Sequence, residues 1–283
     1  MLRSYIISLL FLFSFSLIHA QLVNIESQRM KLDKDNFKLR GNINFNYSNN
    51  NGSSLTQIGT ALTTAFRFKK DSTSIYFFTG SYNLAKSKTE DFRNSWFFHL
   101  RYNKKLMNLK KENPHDNFRL EAFLQNLNNE LQTIRSRNLI GAGIRWKFIN
   151  YQYKEPMPPS WELISRTEKK FRLESFKAYF GNSYMYEIEK VQVTEQEFHN
   201  SRNNSYLSLT ANFTNLEIIN TIYFQPLYSD FSNYRIFEQL QMDIPFSEAF
   251  SFSVLFNYFY NSYSPNEVND YNSYINFGLS YSL

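Results

Sequence analysis

The chain has 283 residues, no cysteine and a formal net charge of +6. The missing cysteine excludes disulfide bridges, a thiolate nucleophile, cysteine-ligated zinc and the lipid anchor of a lipoprotein. A basic excess can indicate nucleic acid or anionic lipid as a partner. Here Lys and Arg are interleaved with Asp and Glu along the chain, so a nucleic-acid partner is not expected.

Residues 1–20 have the pattern of a secretory signal peptide. Arg3 supplies a positive charge, an apolar run extends from Ile6 to Ile18, and Ala20 places a small residue before the expected cut. The run is shorter than the about 20 residues that a membrane-spanning helix needs. We therefore predict Sec export with cleavage after Ala20, a periplasmic lead-in over residues 21–36 and one folded domain over residues 37–283.

The composition of the exported part favours strands. Phe occurs 29 times and Tyr 20 times, and aromatic residues favour strands and the membrane interface. After the signal peptide no apolar run approaches the about 18 residues of a candidate spanning helix. These features leave either a soluble β protein or an outer-membrane β-barrel.

Apolar and polar residues alternate with a period of two, which predicts an all-β, antiparallel fold of about twelve strands. Turn-forming clusters separate the segments, and Asn51-Gly52 is typical of a tight hairpin turn. An even strand number is typical of bacterial barrels. The predicted strands cover, in chain order, residues 37–47, 57–68, 75–85, 95–103, 118–125, 135–148, 176–190, 203–213, 217–228, 234–243, 250–260 and 271–283.

The sixth predicted strand, 135–148 (RSRNLIGAGIRWKF), shows the two-faced pattern clearly. One face is small or cationic, and the other is apolar and ends in Trp146 and Phe148. In a soluble sandwich the apolar face would point inward, whereas in a membrane barrel it meets lipid and the charges line the lumen. Because the other segments repeat this pattern, we predict an up-and-down transmembrane barrel.

Three features of the pattern bear on the topology. Short connections after the second, eighth and tenth strands fit a periplasmic N-terminus, whereas the long connections at 104–116 and 151–175 do not. Prolines at 156, 158 and 159 cannot lie in a paired strand, so residues 151–175 are expected to form a long periplasmic connection or cover. Glu238 would point outward by strict alternation, which suggests a bulge or register shift nearby.

A series of short motifs runs through the chain: Asp91-Phe92-x-Asn94 with His99-Leu100-Arg101-Tyr102, Glu121-Ala122-Phe123-x-Gln125, Arg135-x-Arg137-x-Leu139-x-Gly141-Ala142-Gly143-x-Arg145, Tyr184-Met185-Tyr186-Glu187, Ser205-Tyr206-Leu207-Ser208, Tyr223-Phe224-Gln225-Pro226 and Tyr234-Arg235. In this order they resemble the salt-induced outer-membrane protein family (YdiY-like), in the style of its Bacteroidota members. The resemblance covers nearly all of residues 24–283 and departs at Leu283, where such barrels usually end in Phe. It implies an outer-membrane barrel with no established activity.

The side chains that strand alternation places inside the barrel predict a polar network in the lumen. Because unpaired buried charge is costly, we expect Glu121 and Glu187 to pair with Arg145 and Arg235 and to fill and rigidify the lumen. The alternative is a narrow pore whose arginines favour anionic solutes. The predicted network consists of His99, Arg101, Arg119, Glu121, Gln125, Arg135, Arg137, Arg145, Glu187 and Arg235, with Glu189 and Gln225 beside it.

The segment Gly141-Ala142-Gly143 is interpreted as room for a large facing side chain or a barrel bend, because it lacks the strand-to-helix context of a phosphate loop. His99 suggests a second hypothesis, a lipid-ester hydrolase that uses it as a base. Its inward parity and its distance in sequence from Ser95 favour a lumen histidine instead.

The expected partners are outer-membrane lipid and the barrel-insertion machinery, and a monomer is favoured. The scattered histidines give no support for a metal site, and no cofactor is expected. A soluble periplasmic β-sandwich binding protein is the third hypothesis. We therefore predict an outer-membrane barrel without enzyme activity, acting as a structural envelope protein or a narrow pore.

Overall fold

The computed structural model describes residues 36–50, 53–71, 73–87, 93–110, 113–130, 134–153, 171–192, 195–262 and 271–282. The predicted signal peptide and nearly all of the lead-in lie outside these residues. So do the Asn51-Gly52 turn and most of the 151–175 connection, because the sixth strand continues to Gln152 and the seventh begins at Leu173. In the described part of the chain no helix is long and apolar enough to cross a membrane.

The described residues form a closed barrel of twelve strands, each antiparallel to its neighbours in up-and-down order. The predicted all-β barrel is therefore confirmed, and the soluble sandwich is wrong because β12 closes onto β1. The strands are β1 (Phe37–Asn50), β2 (Ser53–Phe66), β3 (Ser74–Ser87), β4 (Arg93–Lys110), β5 (Asn113–Asn129), β6 (Ile134–Gln152), β7 (Leu173–Val191), β8 (Glu197–Phe213), β9 (Leu216–Pro226), β10 (Tyr234–Pro245), β11 (Phe250–Asn261) and β12 (Tyr271–Ser282).

Strict alternation sets which side chains meet the lumen. On β6, Ile140 and Ile144 lie on the outer face and are 56% and 48% exposed. Gly141 and Arg145, which each follow one of these isoleucines, are buried inside the barrel. The same division holds on the other strands, because successive side chains of a strand point to opposite faces. The packed interior of this fold is therefore the lumen itself, and the exposed apolar residues form a belt around it.

Register shifts occur near the ends of several strands, where they change which residues point inward. One lies between Ile134 and Ser136 on β6, and another between Lys147 and Ile149. By contrast, β10 pairs with β9 and β11 without a shift. The predicted irregularity at Glu238 is therefore wrong, and its side chain lies on the outer face of a regular strand.

The seam between the first and last strands is short. Six residue pairs join Arg40–Phe45 of β1 to Phe277–Ser282 of β12, whereas fourteen pairs join β1 to β2. Side chains reinforce the seam on the lumen side, where Asn42 Nδ2 donates to Ser280 Oγ at 2.8 Å and Arg40 Nε donates to Ser282 Oγ at 3.2 Å.

The turn between β2 and β3 is held by Asp71. Its carboxylate accepts hydrogen bonds from the Thr73 hydroxyl at 2.6 Å, the Thr73 amide at 3.0 Å and the Ser74 amide at 3.3 Å. Hydrogen bonds from the side chains of Ser74 and Thr73, in that order, lower the pKa of this exposed carboxyl to about 2. Asp71 therefore keeps its negative charge at neutral and mildly acidic pH.

Candidate functional site: the barrel lumen and its outer belt

The lumen contains a buried ion cluster near the end opposite the chain termini. Glu187 accepts two hydrogen bonds from Arg235 Nη1, at 2.7 and 2.9 Å, and lies 3.6 Å from both Arg137 and Arg202. Glu189 accepts from Arg137 Nε at 2.5 Å and from Arg235 Nη2 at 3.2 Å. We call these five residues the ion cluster. Three guanidinium groups share two carboxylates, so each buried charge has an opposite charge beside it.

A second set of contacts crosses the lumen at mid-height. Tyr206 on β8 donates its hydroxyl hydrogen to Glu121 Oε2 on β5 at 2.6 Å, and Arg101 on β4 lies 3.6 Å from the same oxygen. We call these three residues the cross-lumen strut. The Tyr206 ring lies over Gly181 on the adjacent strand, where an added Cβ would come within 2.1 Å of it. The glycine therefore provides the space that lets this ring lean across the barrel.

Aromatic rings fill much of the remaining space at the same level. Tyr206, Tyr223, Phe237 and Phe259 form one buried cluster, with the Phe237 and Phe259 ring centroids 4.3 Å apart. On the other side Phe123 lies over Gly141, where a Cβ would meet its ring at 2.2 Å. This contact confirms, at Gly141, that the segment makes room for a large facing side chain. At Gly143 an added Cβ would instead meet the backbone of Asn182 and Ser183 on β7.

The filling is uneven around the barrel. The described inward residues of β8 from Arg202 to Thr210, and those of β10 from Arg235 to Asp243, are all buried. In contrast, all four described inward residues of β1, namely Lys38, Arg40, Asn42 and Asn44, keep partial exposure. Two residues that point inward beside them, Ala61 on β2 and Gly278 on β12, are small and also partly exposed. The large aromatic side chains and the ion cluster thus occupy one side of the lumen. The other side is lined at mid-height by small residues, and nearer the termini by Lys38 and Arg40, whose guanidinium lies 3.6 Å from Asp243 on β10.

Cations gather at the end of the lumen that carries the termini. Lys147 on β6 interacts electrostatically with Lys177 on β7, Arg119 on β5 and Lys105 on β4. Next to them the Arg145 guanidinium lies 3.7 Å above the Tyr179 ring, a cation–π contact. We call Lys105, Arg119, Lys147 and Lys177 the basic rim. This rim gives the mouth a positive potential.

The outer face has the properties of a lipid contact surface. Its middle is apolar, with Ile43 and Leu279 64% and 56% exposed. Aromatic residues form rings above and below, as in the Phe66–Tyr76 and Phe250–Tyr281 pairs near the termini, both with centroids 5.1 Å apart. At the opposite end the ring includes the Trp96–Phe98, Tyr184–Tyr228 and Tyr234–Tyr260 pairs. Aromatic girdles around an apolar band are the surface pattern of transmembrane barrels.

Most of the residues predicted for the lumen network do lie inside the barrel. His99, Arg101, Glu121, Gln125, Arg137, Arg145, Glu187 and Arg235 are buried there, and Arg119 lies at the basic rim. The structure brings Glu187 and Arg235 together. Glu121 is held by Tyr206 and Arg101, and Arg145 stacks on Tyr179, so contact between Glu121 and Arg145 stays a prediction.

Arg135 is the exception. The register shift between Ile134 and Ser136 turns Ile134 into the lumen and leaves Arg135 with 55% of its side chain exposed, bound to Glu195 beyond the strand end. Lys190 binds the same carboxylate at 2.9 Å, and this hydrogen bond is the largest cause that lowers the pKa of Glu195. The prediction that Arg135 belongs to the lumen network is therefore wrong.

His99 lies deep in the lumen rather than at the lipid surface. Its ring is 1% exposed and stacks between Phe97 and Phe123 at centroid distances of 6.1 and 6.0 Å. This position is the one predicted for a histidine of the lumen network. Within the described residues no group of His, Asp or Glu side chains could hold a metal ion.

Two important lumen residues were missed in the sequence. Arg202 completes the ion cluster, and its Nη2 donates to Asn233 Oδ1 at 3.1 Å. Tyr206 lies in the motif Ser205-Tyr206-Leu207-Ser208, but the sequence pattern does not indicate that Glu121 is its partner. Both follow from the alternation of β8, which places Arg202, Asn204, Tyr206 and Ser208 on one face. The eighth predicted strand began at Asn203, one residue too late to include Arg202.

A closed antiparallel barrel with an apolar belt, two aromatic girdles and a charged, partly filled lumen defines the class of transmembrane β-barrels. Among solved structures the chain is similar to the NanC porin, with 11% identity and a TM-score of 0.45 over 87% of this chain and all of that one. It is also similar to an outer-membrane channel from Pseudomonas putida F1, with 7% identity and a TM-score of 0.46 over 87% of this chain and 95% of that one.

The translocator domain of the autotransporter NalP from Neisseria meningitidis has 10% identity and a TM-score of 0.40 over 90% of this chain and 91% of that one. Likeness at this level carries no argument about function, and the barrel assignment rests on the strand pairing itself. No family model matches the chain, and no curated protein matches it.

Proposed function

We propose that the protein is an outer-membrane barrel that forms a narrow pore along the inner face of β1. The apolar belt and girdles support the membrane location, and the signal-peptide pattern supports Sec export with cleavage after Ala20. On this proposal lipid surrounds the barrel, and the insertion machinery places it in the membrane. Membership of the salt-induced outer-membrane protein family is part of the same proposal.

The uneven filling of the lumen carries the proposal. The ion cluster and the aromatic rings close the side formed by β4–β11, whereas Asn42 and Asn44 of β1 and Ala61 of β2 face this filling with small, partly exposed side chains. Thr63 and Ala65 of β2, nearer the end with the termini, are buried. Asn42, Asn44 and Ala61 present polar or small groups to this space without any large ring. A passage here is narrow and off-centre, and it suits small hydrated solutes.

The basic rim gives this pore a preference for anions. Lys105, Arg119, Lys147 and Lys177 form its positive charge at the end with the termini. Rings of Lys or Arg at a pore mouth concentrate anions and repel cations. The ion cluster at the other end has only one excess positive charge, since three arginines face two glutamates, so the rim dominates the selectivity.

Conductance across planar bilayers tests the pore. The refolded protein should give small unitary steps, and a salt gradient should give a reversal potential of the sign expected for anions. Ala61→Trp should reduce or abolish the steps because its side chain points into the passage. Leu62→Trp is the matched control: the adjacent side chain is 48% exposed on the outer face, so conductance should be unchanged.

Absence of any conductance from protein that keeps its heat-modifiable migration on gels would refute the pore. The same result would leave a structural envelope barrel as the function. Equal conductance of wild type and Ala61→Trp would show that ions pass elsewhere and would refute the β1 route.

A further inference from the structure

The outer face of β7–β10 carries amide and carboxyl side chains at mid-strand, where the other strands present apolar or aromatic residues, glycine, alanine or threonine. Asn182 donates to Asn203 Oδ1 at 3.2 Å and to Ser205 Oγ at 2.8 Å, and Ser205 donates to Asn203 at 2.6 Å. On the next strands, Asn220 donates to Glu238 Oε1 at 2.8 Å. We call these five residues the polar patch.

Glu238 is the feature that calls for a partner. It lies on the outer face of β10 between Ile236 and Leu240, opposite Tyr258 of β11. Asn220 is its hydrogen-bond donor among the described residues, although a carboxyl group offers several acceptor positions. An ionisable side chain in contact with lipid is costly, and such residues normally face protein or a water-filled cavity.

Another outer pair, Asn126 and Asn138, lies close to the strand ends, where the interface supplies water and lipid headgroups. Asn182, Asn203 and Asn220 instead lie near the middles of β7, β8 and β9. Interfacial water therefore explains the first pair but not the polar patch.

We propose that the polar patch is the interface through which two copies of this chain form a dimer in the membrane. Both copies must have the same orientation in the bilayer, so the two-fold axis runs along the membrane normal and residues at equal height meet. With the axis between β8 and β9, β10 of one copy faces β7 of the other. The Glu238 carboxyl of each copy then faces the polar residues on β7 and β8 of its partner, where Asn203 Nδ2 uses one of its two hydrogens on the Tyr228 hydroxyl at 3.3 Å and keeps the other.

The surroundings of the polar patch fit such an interface. Phe180, Tyr184 and Phe224 are 44%, 50% and 43% exposed around it, and aromatic residues are enriched in the cores of protein interfaces. Leu207 and Ile222 lie between the two groups of polar residues and pair with each other across β8 and β9. They are the positions nearest to the proposed axis. The dimer replaces the monomer that the sequence alone favoured.

Thiol cross-linking tests this interface directly because the native chain has no cysteine. Leu207→Cys and Ile222→Cys, each as the only cysteine, are expressed in native outer membranes and treated with a short bis-maleimide. Both should give a band of twice the monomer mass. The matched control is Leu62→Cys, an outward leucine on β2, which should give no such band.

A second pair of substitutions separates a specific interface from random collision. Glu238→Leu with Asn220→Leu, added to Ile222→Cys, should abolish the dimer band while heat-modifiable migration shows that the barrel remains folded. The proposal is overturned if neither Leu207→Cys nor Ile222→Cys gives a dimer, or if Leu62→Cys gives as much. It is also overturned if the cross-linked species has the mass of a different partner, or if the apolar double variant dimerises as well as before.

Discussion

Removal of the Glu187 carboxylate should destabilise the barrel strongly. Glu187→Leu leaves the guanidinium groups of Arg137, Arg202 and Arg235 in the lumen with only Glu189 to balance them. Glu187 itself is 1% exposed and accepts both short bonds from Arg235. Removing one partner of a buried ion pair typically lowers the free energy of unfolding by about 3–5 kcal/mol. With a denaturant slope of about 2 kcal/mol per molar urea, the unfolding midpoint should fall by about 2 M.

Equilibrium unfolding from lipid vesicles measures this change. Trp96 and Trp146 lie on the outer face, so their fluorescence reports departure from lipid. Glu195→Leu is the control, because it removes a carboxylate from an exposed ion pair and should leave the midpoint unchanged. Glu187→Leu combined with Arg235→Met should recover part of the loss, since the uncompensated charge is removed as well. A midpoint for Glu187→Leu equal to that of wild type would refute the assignment of a buried, energetically coupled ion cluster.

Three further predictions concern other parts of the barrel. Gly181→Ala should cost about 1–3 kcal/mol by overpacking, because its Cβ would lie 2.1 Å from the Tyr206 ring; Gly41→Ala, with nothing within 4 Å, is the control. Tyr206→Phe removes a hydrogen bond to the Glu121 carboxylate and should lower the stability by about 1.5–3 kcal/mol in the same assay; an unchanged midpoint would contradict the strut. Because its folded pKa is depressed from 3.8 to about 2, Asp71 stabilises the turn above about pH 4 and loses this contribution as the pH falls toward 2. The wild-type advantage over Asp71→Asn should disappear over that range, and a constant difference would contradict the low pKa.

Alternation in the sequence was sufficient to predict the barrel, because each strand repeats one physical requirement. An apolar residue must face lipid wherever its neighbour faces the lumen, as with Ile140 and Gly141. Strand ends were harder to predict, since a single extra residue inverts both faces. That is why Arg135 was assigned to the lumen although the shift after Ile134 turns it outward.

Contacts across the lumen could not be predicted from the pattern. Tyr206 and Glu121 are 85 residues apart and lie on strands that are not adjacent, so their contact depends on the width and register of the whole barrel. Glu238 illustrates the opposite error. Strict alternation correctly places its side chain on the outer face, whereas the bulge predicted from the cost of a carboxyl group facing lipid is absent there. The strand is regular, and Asn220 on β9 donates a hydrogen bond to the outward carboxyl group.

The short pairing between β1 and β12 affects both the assembly of the barrel and its unfolding. Closure joins the two ends of the chain, so it cannot precede synthesis of the last strand, and it has the largest loop-closure entropy of any strand pair. It also borders the partly open side of the lumen, away from the ion cluster and the stacked rings. The pairing of β1 with β12 should therefore form last during insertion and separate first on heating. Hydrogen exchange should be fastest at the amides of Ile43 and Leu279, which pair across this seam.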